Sequence, residues 1–322
     1  MTTSTITSER QNELAAMDMR DAFFDEIYRI ARADSSVVFL TDDMDAFSLR
    51  RFKKDMPDQF LNIGVAEQNL VNLSAGLAMS GKRVFAYGIA PFVTMRCFEQ
   101  IKVNICSMRL PVTIVGVGAG FSFEFDGPTH HGIHDVPIMR AIPEMNIYNP
   151  SDAASAEGIA KRVHVAGEPA YVRIDKGTFP VLSDTEDDFS SGYRIINPPG
   201  DVTVVATGYM SSRVTAVIES LGSDASGIGL VDLYRLKPVD ASFESDVITP
   251  SKTVITLEES SISGGIGTIV AEMVAESDSH TKLVRLGAED RQFIQYGTRE
   301  WFHSINGIDD ESLASTLRQA LQ

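Results

Sequence analysis

The sequence predicts an α/β fold of two successive domains, each a mostly parallel sheet flanked by helices, and three observations predict it. The 322 residues are about twice the ~150 of a typical domain. Short unbroken apolar runs, such as Val37-Val38-Phe39-Leu40 and Val202-Thr203-Val204-Val205-Ala206, alternate with segments whose apolar residues recur at helical spacing. That is the pattern of strands buried on both faces with helices packed above and below. The alternation stops once, in an acidic and turn-rich stretch, and then restarts.

Taken in order, residues 1–18 are polar and read as a flexible tail. Ala22, Phe23, Ile27, Ile30 and Ala31 keep helical spacing and lead into a strand at 37–40. A strand over 60–65, a helix over 68–79, a strand over 83–89, a helix over 92–108 and a strand over 112–115 follow. Residues 116–137 form a long polar, glycine-bearing loop, of the kind that often carries function. A helix over 152–165 and a strand over 170–174 close a first domain, 19–182. The acidic run Ser183-Asp184-Thr185-Glu186-Asp187-Asp188 and the turn formers Asn197-Pro198-Pro199-Gly200-Asp201 mark 183–201 as a linker. The second domain, 202–322, has strands at 202–206, 229–233 and 253–257, and helices at 211–221, 267–275 and 313–321.

Composition excludes several classes. With 28 Lys and Arg against 44 Asp and Glu, the formal charge is −16, so nucleic-acid phosphate and anionic lipid are repelled as general partners. Two cysteines, Cys97 and Cys106, make neither a disulfide framework nor a four-ligand zinc site, and they suit a reducing compartment. The amino terminus lacks the apolar core of a signal peptide. The most continuous apolar stretch, 110–121, falls short of the ~18 residues of a membrane span. Cytoplasmic residence is expected.

Three groups of residues are candidates for chemistry. Gly116-Val117-Gly118-Ala119-Gly120 follows a strand, but its spacing is not that of a dinucleotide fingerprint. Ser263-Gly264-Gly265-Ile266-Gly267 opens a helix, where backbone N–H groups can hold an anion or simply form a tight turn. Asp126-Gly127-Pro128-Thr129-His130-His131-Gly132-Ile133-His134-Asp135 holds three of the six histidines. His130 and His134 have the spacing of a helical zinc pair, yet the flanking Gly and Pro oppose a helix and the intervening Glu of that motif is missing. Donors and acceptors aimed at a hydroxyl-rich substrate, or a solvated loop, are the other readings. Glu67 lies where a strand gives way to a helix. The helix dipole explains an acid there, and its apolar setting equally permits a desolvated, protonated carboxyl.

Considered together, Ile63-Gly64-Val65-Ala66-Glu67-Gln68-Asn69, Phe92-Val93-Thr94-Met95-Arg96-Cys97-Phe98-Glu99-Gln100 and Asp126-Gly127-Pro128-Thr129-His130-His131 resemble the transketolase and 1-deoxyxylulose-5-phosphate synthase family. The resemblance continues in collinear order through Met139-Arg140-Ala141-Ile142-Pro143-Glu144-Met145, Pro150-Ser151-Asp152, Leu236-Lys237-Pro238-Val239-Asp240 and Glu258-Glu259-Ser260-Ser261. It covers about residues 20–320 and is to the C-terminal half of such enzymes, a pyrimidine-binding domain followed by the transketolase C-terminal domain.

The resemblance implies thiamine diphosphate as cofactor. Glu67 would be the carboxyl group that engages the aminopyrimidine, with Phe92 and Phe98 packed against that ring and Asp43 near the cofactor. His130 would be catalytic and, with Asp126, would contact the sugar. Lys176 stands where the family often has a phosphate-anchoring arginine, without the bidentate fork. Gly118 stands where transketolases carry a histidine, and Ser260 replaces the histidine of the family's Glu-Glu-His-Ser, so a phosphorylated pentose is not assured as substrate. No Gly-Asp-Gly occurs in the chain, so no metal ligand is assigned here. A separate N-terminal subunit with that motif is expected to bind Mg2+ and the diphosphate. The chain is thus expected to be the C-terminal subunit of a two-component transketolase-like enzyme moving a two-carbon ketol unit between sugars, self-associating into a heterotetramer. The alternatives are condensation of pyruvate with an aldose, a 2-oxoacid dehydrogenase beta subunit, a non-catalytic assembly subunit, and a histidine-zinc hydrolase.

Overall fold

The computed structural model describes residues 3–183 and 187–322. Part of the expected linker, 184–186, lies outside the described residues, as do residues 1 and 2 of the expected tail. The chain runs α1 (Thr3–Ala15), α2 (Met19–Ala33), β1 (Val37–Thr41), α3 (Phe47–Asp55), β2 (Phe60–Asn62), α4 (Glu67–Met79), β3 (Arg83–Ile89), α5 (Ala90–Thr94) and α6 (Phe98–Gln100). It continues with β4 (Val112–Val117), α7 (Asp135–Arg140), β5 (Asn146–Tyr148), α8 (Ala153–Ala166) and β6 (Ala170–Ile174). The remainder is β7 (Tyr193–Asn197), β8 (Val202–Ala206), α9 (Tyr209–Leu221), β9 (Ile228–Leu233), β10 (Arg235–Lys237), β11 (Thr253–Ser261), α10 (Ile266–Glu276), β12 (Lys282–Ala288), α11 (Arg299–Ile305) and α12 (Asp310–Ala320). No helix of the described residues is long and apolar enough to cross a membrane.

Two sheets result. The seven-stranded sheet has the order β10-β5-β6-β4-β3-β1-β2 and is parallel except for β10; the five-stranded sheet has the order β12-β11-β8-β9-β7 and is parallel except for β7. Every residue of β1, β4, β6, β8 and β9 is buried, which is why these strands read as largely apolar runs, with a charge only at Arg173 of β6 and Asp232 of β9. The strand period of two sends alternate residues to opposite faces. Val38 and Leu40 join one core with Leu70 and Val71 of α4, while Val37 and Phe39 join another with Phe23 and Ile27 of α2. Each such large side chain, fully buried, stabilises the fold by roughly 1.5–3 kcal/mol. The first of these cores runs on through Val231, Leu233 and Phe243, so the two sheets share apolar contacts.

Several expected elements differ. The expected tail contains α1, whose Leu14 is buried against Ala22, Ala153 and Ala154, and whose Arg10 pairs with Glu157. Among the described side chains of α1, Leu14 alone is buried, near the helix end, so there is no amphipathic stripe to read. The expected linker contains β7, an antiparallel edge strand on β9. Within the expected second domain, β10 leaves its own sheet and pairs antiparallel with β5. The helix expected over 92–108 breaks into α5, α6 and a π-helical turn, Ile101–Cys106. The strand expected over 60–65 stops at Asn62, because Gly64 turns the chain at φ +72°.

Caps fix the helices that matter for the site. The Asp18 carboxylate accepts from Arg20 N at 2.9 Å and from Gly177 N at 2.7 Å, tying the start of α2 to the segment after β6. Asp152 caps α8 through Ser155 N and also accepts from the N–H groups of Leu182 and Ser183. β1 and β3 are adjacent, and the strand order reverses between them. In open α/β sheets, ligands bind in the crevice beyond the carboxyl ends of the strands at such a reversal.

Candidate active site

The residues at that crevice come from five loops. Thr41 ends β1, and its hydroxyl closes the following turn by donating to Met44 O at 2.9 Å and accepting from Met44 N at 3.1 Å. The tight turn places Asp43 in the left-handed region at φ +75°. Asp43 is exposed and accepts from Asn62 Nδ2 at 2.9 Å. Its neighbour Asp42 turns inward and is only 6 % exposed. Glu67 opens α4 and is 3 % exposed. Its carboxylate accepts from Arg96 Nη1 at 2.7 Å, the arginine itself being half exposed.

From Glu67 a continuous wall of side chains extends outward. The Arg96 guanidinium lies 4.9 Å from the centre of the half-buried Phe92 ring. Phe92 meets His130 edge-on at 5.0 Å, and His130 meets Phe123 edge-on at 5.7 Å. Lys176 Nζ stands 4.1 Å from the centre of the Phe123 ring. His130 is fixed by Thr129 Oγ1, 2.9 Å from its Nδ1, and by its own N–H donating to Gly127 O at 3.0 Å. The structure therefore brings Glu67, Phe92, His130 and Lys176 together. Asp126 is exposed on the same loop, at the end of a short 3-10 turn. Phe98 is not brought to the site. The helix break at Cys97 turns Phe98 onto the apolar core that holds Leu70 and Ile101.

The histidine cluster divides by burial. His131 is enclosed by Phe121 and Phe302, and burial pushes its pKa down. His134 stands just before the first turn of α7. Among the described residues, no group of three or more His, Cys, Asp or Glu side chains is arranged to hold a metal ion. The glycine run after β4 serves packing: Gly118 has φ +98°, and a methyl group there would overlap the Phe123 ring. Phe123 thus occupies the space that a side chain at 118 would need. At the other glycine-rich turn the acceptor is the protein's own carboxyl. Glu258 accepts from Ile266 N and Gly267 N at 2.9 Å each, at the N-terminus of α10.

The loop carrying His130 is held from beneath by buried charge. Arg173, in the middle of apolar β6, is 2 % exposed. It donates from Nε to Asp135 Oδ2 at 3.0 Å, and from Nη2 to the carbonyls of Gly132 and Glu259. Tyr171 donates to the same Asp135 oxygen at 2.6 Å. Beside this, Glu259 accepts from Arg299 Nε at 2.8 Å and lies 2.6 Å from His303 Nε2, and Arg299 also pairs with Asp175. Burial alone would raise the Glu259 carboxyl, but Arg299 and His303 outweigh it and hold it well below the usual carboxylate range. These pairs join the end of β6, and so Lys176, to the second sheet.

Sequence reasoning missed Arg96, Phe123 and Asp42. Arg96 had a signal, its i, i+4 spacing from Phe92. Asp42 had none, since nothing in Asp42-Asp43 says which carboxyl turns inward.

The sequence profile of the transketolase pyrimidine binding domain matches residues 15–181, and that of the transketolase C-terminal domain matches residues 192–312. One of the subunits of the apulose-4-phosphate transketolase of Phocaeicola vulgatus is 33% identical over 303 residues, covering 92% of this chain and 95% of that one. SqwH, a 6-deoxy-6-sulfo-D-fructose transketolase subunit of a Clostridium species (strain MSTE9), is 31% identical over 274 residues, covering 84% and 85%. Among solved structures, a split-gene transketolase determined as an inactive β4 tetramer superposes with a TM-score of 0.86 at 29% identity, covering 95% of this chain and 98% of that one. The chain belongs to the transketolase family, as a transferase subunit of the C-terminal, split-gene type. The family implies thiamine diphosphate. The residues present fit the pyrimidine end of that cofactor: a deep carboxyl at a helix start, Glu67, is joined through Arg96 to a half-buried aromatic ring, Phe92.

Proposed function

We propose that this chain supplies the pyrimidine side and part of the sugar side of a two-component thiamine diphosphate enzyme that moves a two-carbon ketol unit between sugars. The observation that carries the reading is the single wall from Glu67 through Phe92 and His130 to Lys176. It sets a buried carboxyl at one end, a hydrogen-bonding imidazole in the middle and a cation at the rim. When bound, the cofactor supplies the electron sink for the two-carbon fragment. Glu67 would hold the ring nitrogen of the aminopyrimidine, and Phe92 would flank that ring. Arg96 holds Glu67 in place from the solvent side. His130 would donate or accept at the sugar carbonyl and hydroxyl groups, with Asp126 on the same loop and Asp43 at the cofactor edge. Lys176 would attract an anionic group on the distal carbon of the sugar.

The chain has no Gly-Asp-Gly, and Mg2+ needs oxygen ligands around the diphosphate. A partner subunit with that motif would supply them, in a cytoplasmic hetero-oligomer formed with further copies of this chain. The test is reconstitution. The purified chain should not turn over ketose donors with thiamine diphosphate and Mg2+, and activity should appear on co-purification with a Gly-Asp-Gly subunit encoded nearby. Full turnover by the single chain would refute the two-component reading.

A further inference from the structure

Among the described residues, Asp42 is used by no cap or ion pair, and it lies at the reversal of strand order. It follows β1 directly, beside Gly88 of β3 and Val93 of α5; a methyl group at Gly88 would overlap the Asp42 carboxyl, so only glycine lets the acid lie there. Its Oδ1 is buried with no hydrogen-bond partner among the described residues. An unpartnered buried carboxylate oxygen is costly, and the group avoids the cost by staying protonated. The charged and titratable groups that act on it are Glu67 of α4, its neighbour Asp43, and Arg96 beyond α5. Burial, then the Glu67 charge, push Asp42 up to about 7, with Arg96 opposing. The buried Cys97 thiol senses the same two carboxyls, and burial with Glu67 pushes it up to about 12. Tyr87 on β3 is pushed up to about 12 by burial, with Arg20 opposing and Asp42 adding.

We propose that Asp42 is a positioning residue that acts through Glu67: the buried, unpartnered Asp42 carboxyl and the buried Glu67 carboxyl form a coupled pair in which a charge on one opposes a charge on the other. The inference rests on the reading of Glu67 as the group that faces the aminopyrimidine. A second buried charge beside Glu67 holds a proton more tightly on any base that Glu67 engages. Ionisation of Asp42 then slows the proton release on which turnover depends. Asp42→Asn removes that ionisation while keeping the shape of the side chain.

The sign follows from linkage. An acid raised in the folded state favours folding fully below its unfolded value of 3.8 and loses that contribution as pH rises toward about 7. The experiment therefore compares the full-length chain with its Asp42→Asn variant by urea unfolding from pH 4 to 9, in Glu67 and Glu67→Gln backgrounds. The folding constants of the two should agree near pH 4 and then diverge in favour of the variant, by up to ~10-fold per pH unit before levelling off. In the Glu67→Gln background the levelling-off point should move to lower pH, because the neighbouring charge is gone. Asp42→Ala repeats the comparison should the amide disturb folding. A flat difference, or a levelling-off point that Glu67→Gln leaves unmoved, overturns the coupled pair whether or not the chain is part of an enzyme. In the reconstituted pair, kcat should fall above neutral pH in the parent and stay level in Asp42→Asn. An unchanged alkaline fall in the variant overturns the action through Glu67. Absence of ketol transfer from the parent pair overturns the proposed function, and the unfolding comparison still decides the carboxyl pair.

Discussion

Replacing Arg173 by methionine should be among the most damaging single changes in this chain. Met preserves much of the side-chain volume but removes the guanidinium that is almost wholly inside the protein. Asp135 Oδ2 then keeps only the Tyr171 hydroxyl at 2.6 Å, Asp135 Oδ1 already lacks a partner, and the carbonyls of Gly132 and Glu259 lose their shared donor. Breaking a buried ion pair from one side costs about 3–5 kcal/mol, because the remaining charge is left uncompensated. By the size scaling of the unfolding entropy, that corresponds to a fall in thermal midpoint of about 4–7 °C. Scanning calorimetry on the purified chain measures it. The second arm is the double variant Arg173→Met, Asp135→Leu, in which no charge is stranded. It should recover at least half of the loss, since a buried pair is often replaced by apolar groups at little net cost. A midpoint within a degree of the parent in the single variant, or a double variant lower than the single, would refute the reasoning. Because Gly132 anchors the loop that carries His130 through paired bonds with Gly120, ketol transfer by the reconstituted pair should also fall, with KM rising before kcat.

Three further outcomes are expected. Glu67→Gln should unfold at nearly the parent temperature yet lower ketol transfer by at least ~100-fold; unchanged turnover would remove Glu67 from the chemistry. Gly118→Ala should lower the thermal midpoint by an amount equivalent to about 1–3 kcal/mol, because an L residue at φ +98° is strained and the Phe123 ring is in its way; full stability in that variant would show that the ring moves aside freely. Lys176→Ala should raise KM for sugars with an anionic terminal group by roughly threefold to tenfold at low salt and leave neutral sugars unaffected; an equal change for both would discard the role of its charge.

The parts of the fold legible in the sequence are those whose burial is two-sided. β1, β4 and β8 could be read because every residue in them faces a core, and α4 and α8 because helical spacing matched their buried faces. β7, β10 and β12 are edge strands with partly exposed patterns, so they lack both the apolar run and the alternation. The site was legible where the chemistry needs one residue type at one place, as at Glu67 and His130. It was not legible where adjacent residues compete. Asp42 and Asp43 are chemically identical, and only the Thr41 turn decides which is inside. Phe98 lies six residues beyond Phe92, which puts the two rings on different faces even of an unbroken helix, and the interruption at Cys97 sends them to different surroundings. Arg173 was a signal left unread, because a charged residue amid Ala170-Tyr171-Val172-Ile174 requires buried partners of opposite sign.

The crossing of β10 into the first sheet bears on where such a chain can be divided. A fragment ending in the 183–201 segment would carry β1 to β6 but not the strand that covers the outer edge of β5. Uncovered strand edges recruit other strands and promote aggregation. Such a fragment would also lose the partners of Arg173 and Asp175 on β11 and α11. The two sheets are therefore clasped by an exchanged strand as well as by sequence. Fusion partners, truncations and circular permutations of this chain are best placed outside the stretch from β5 to β10.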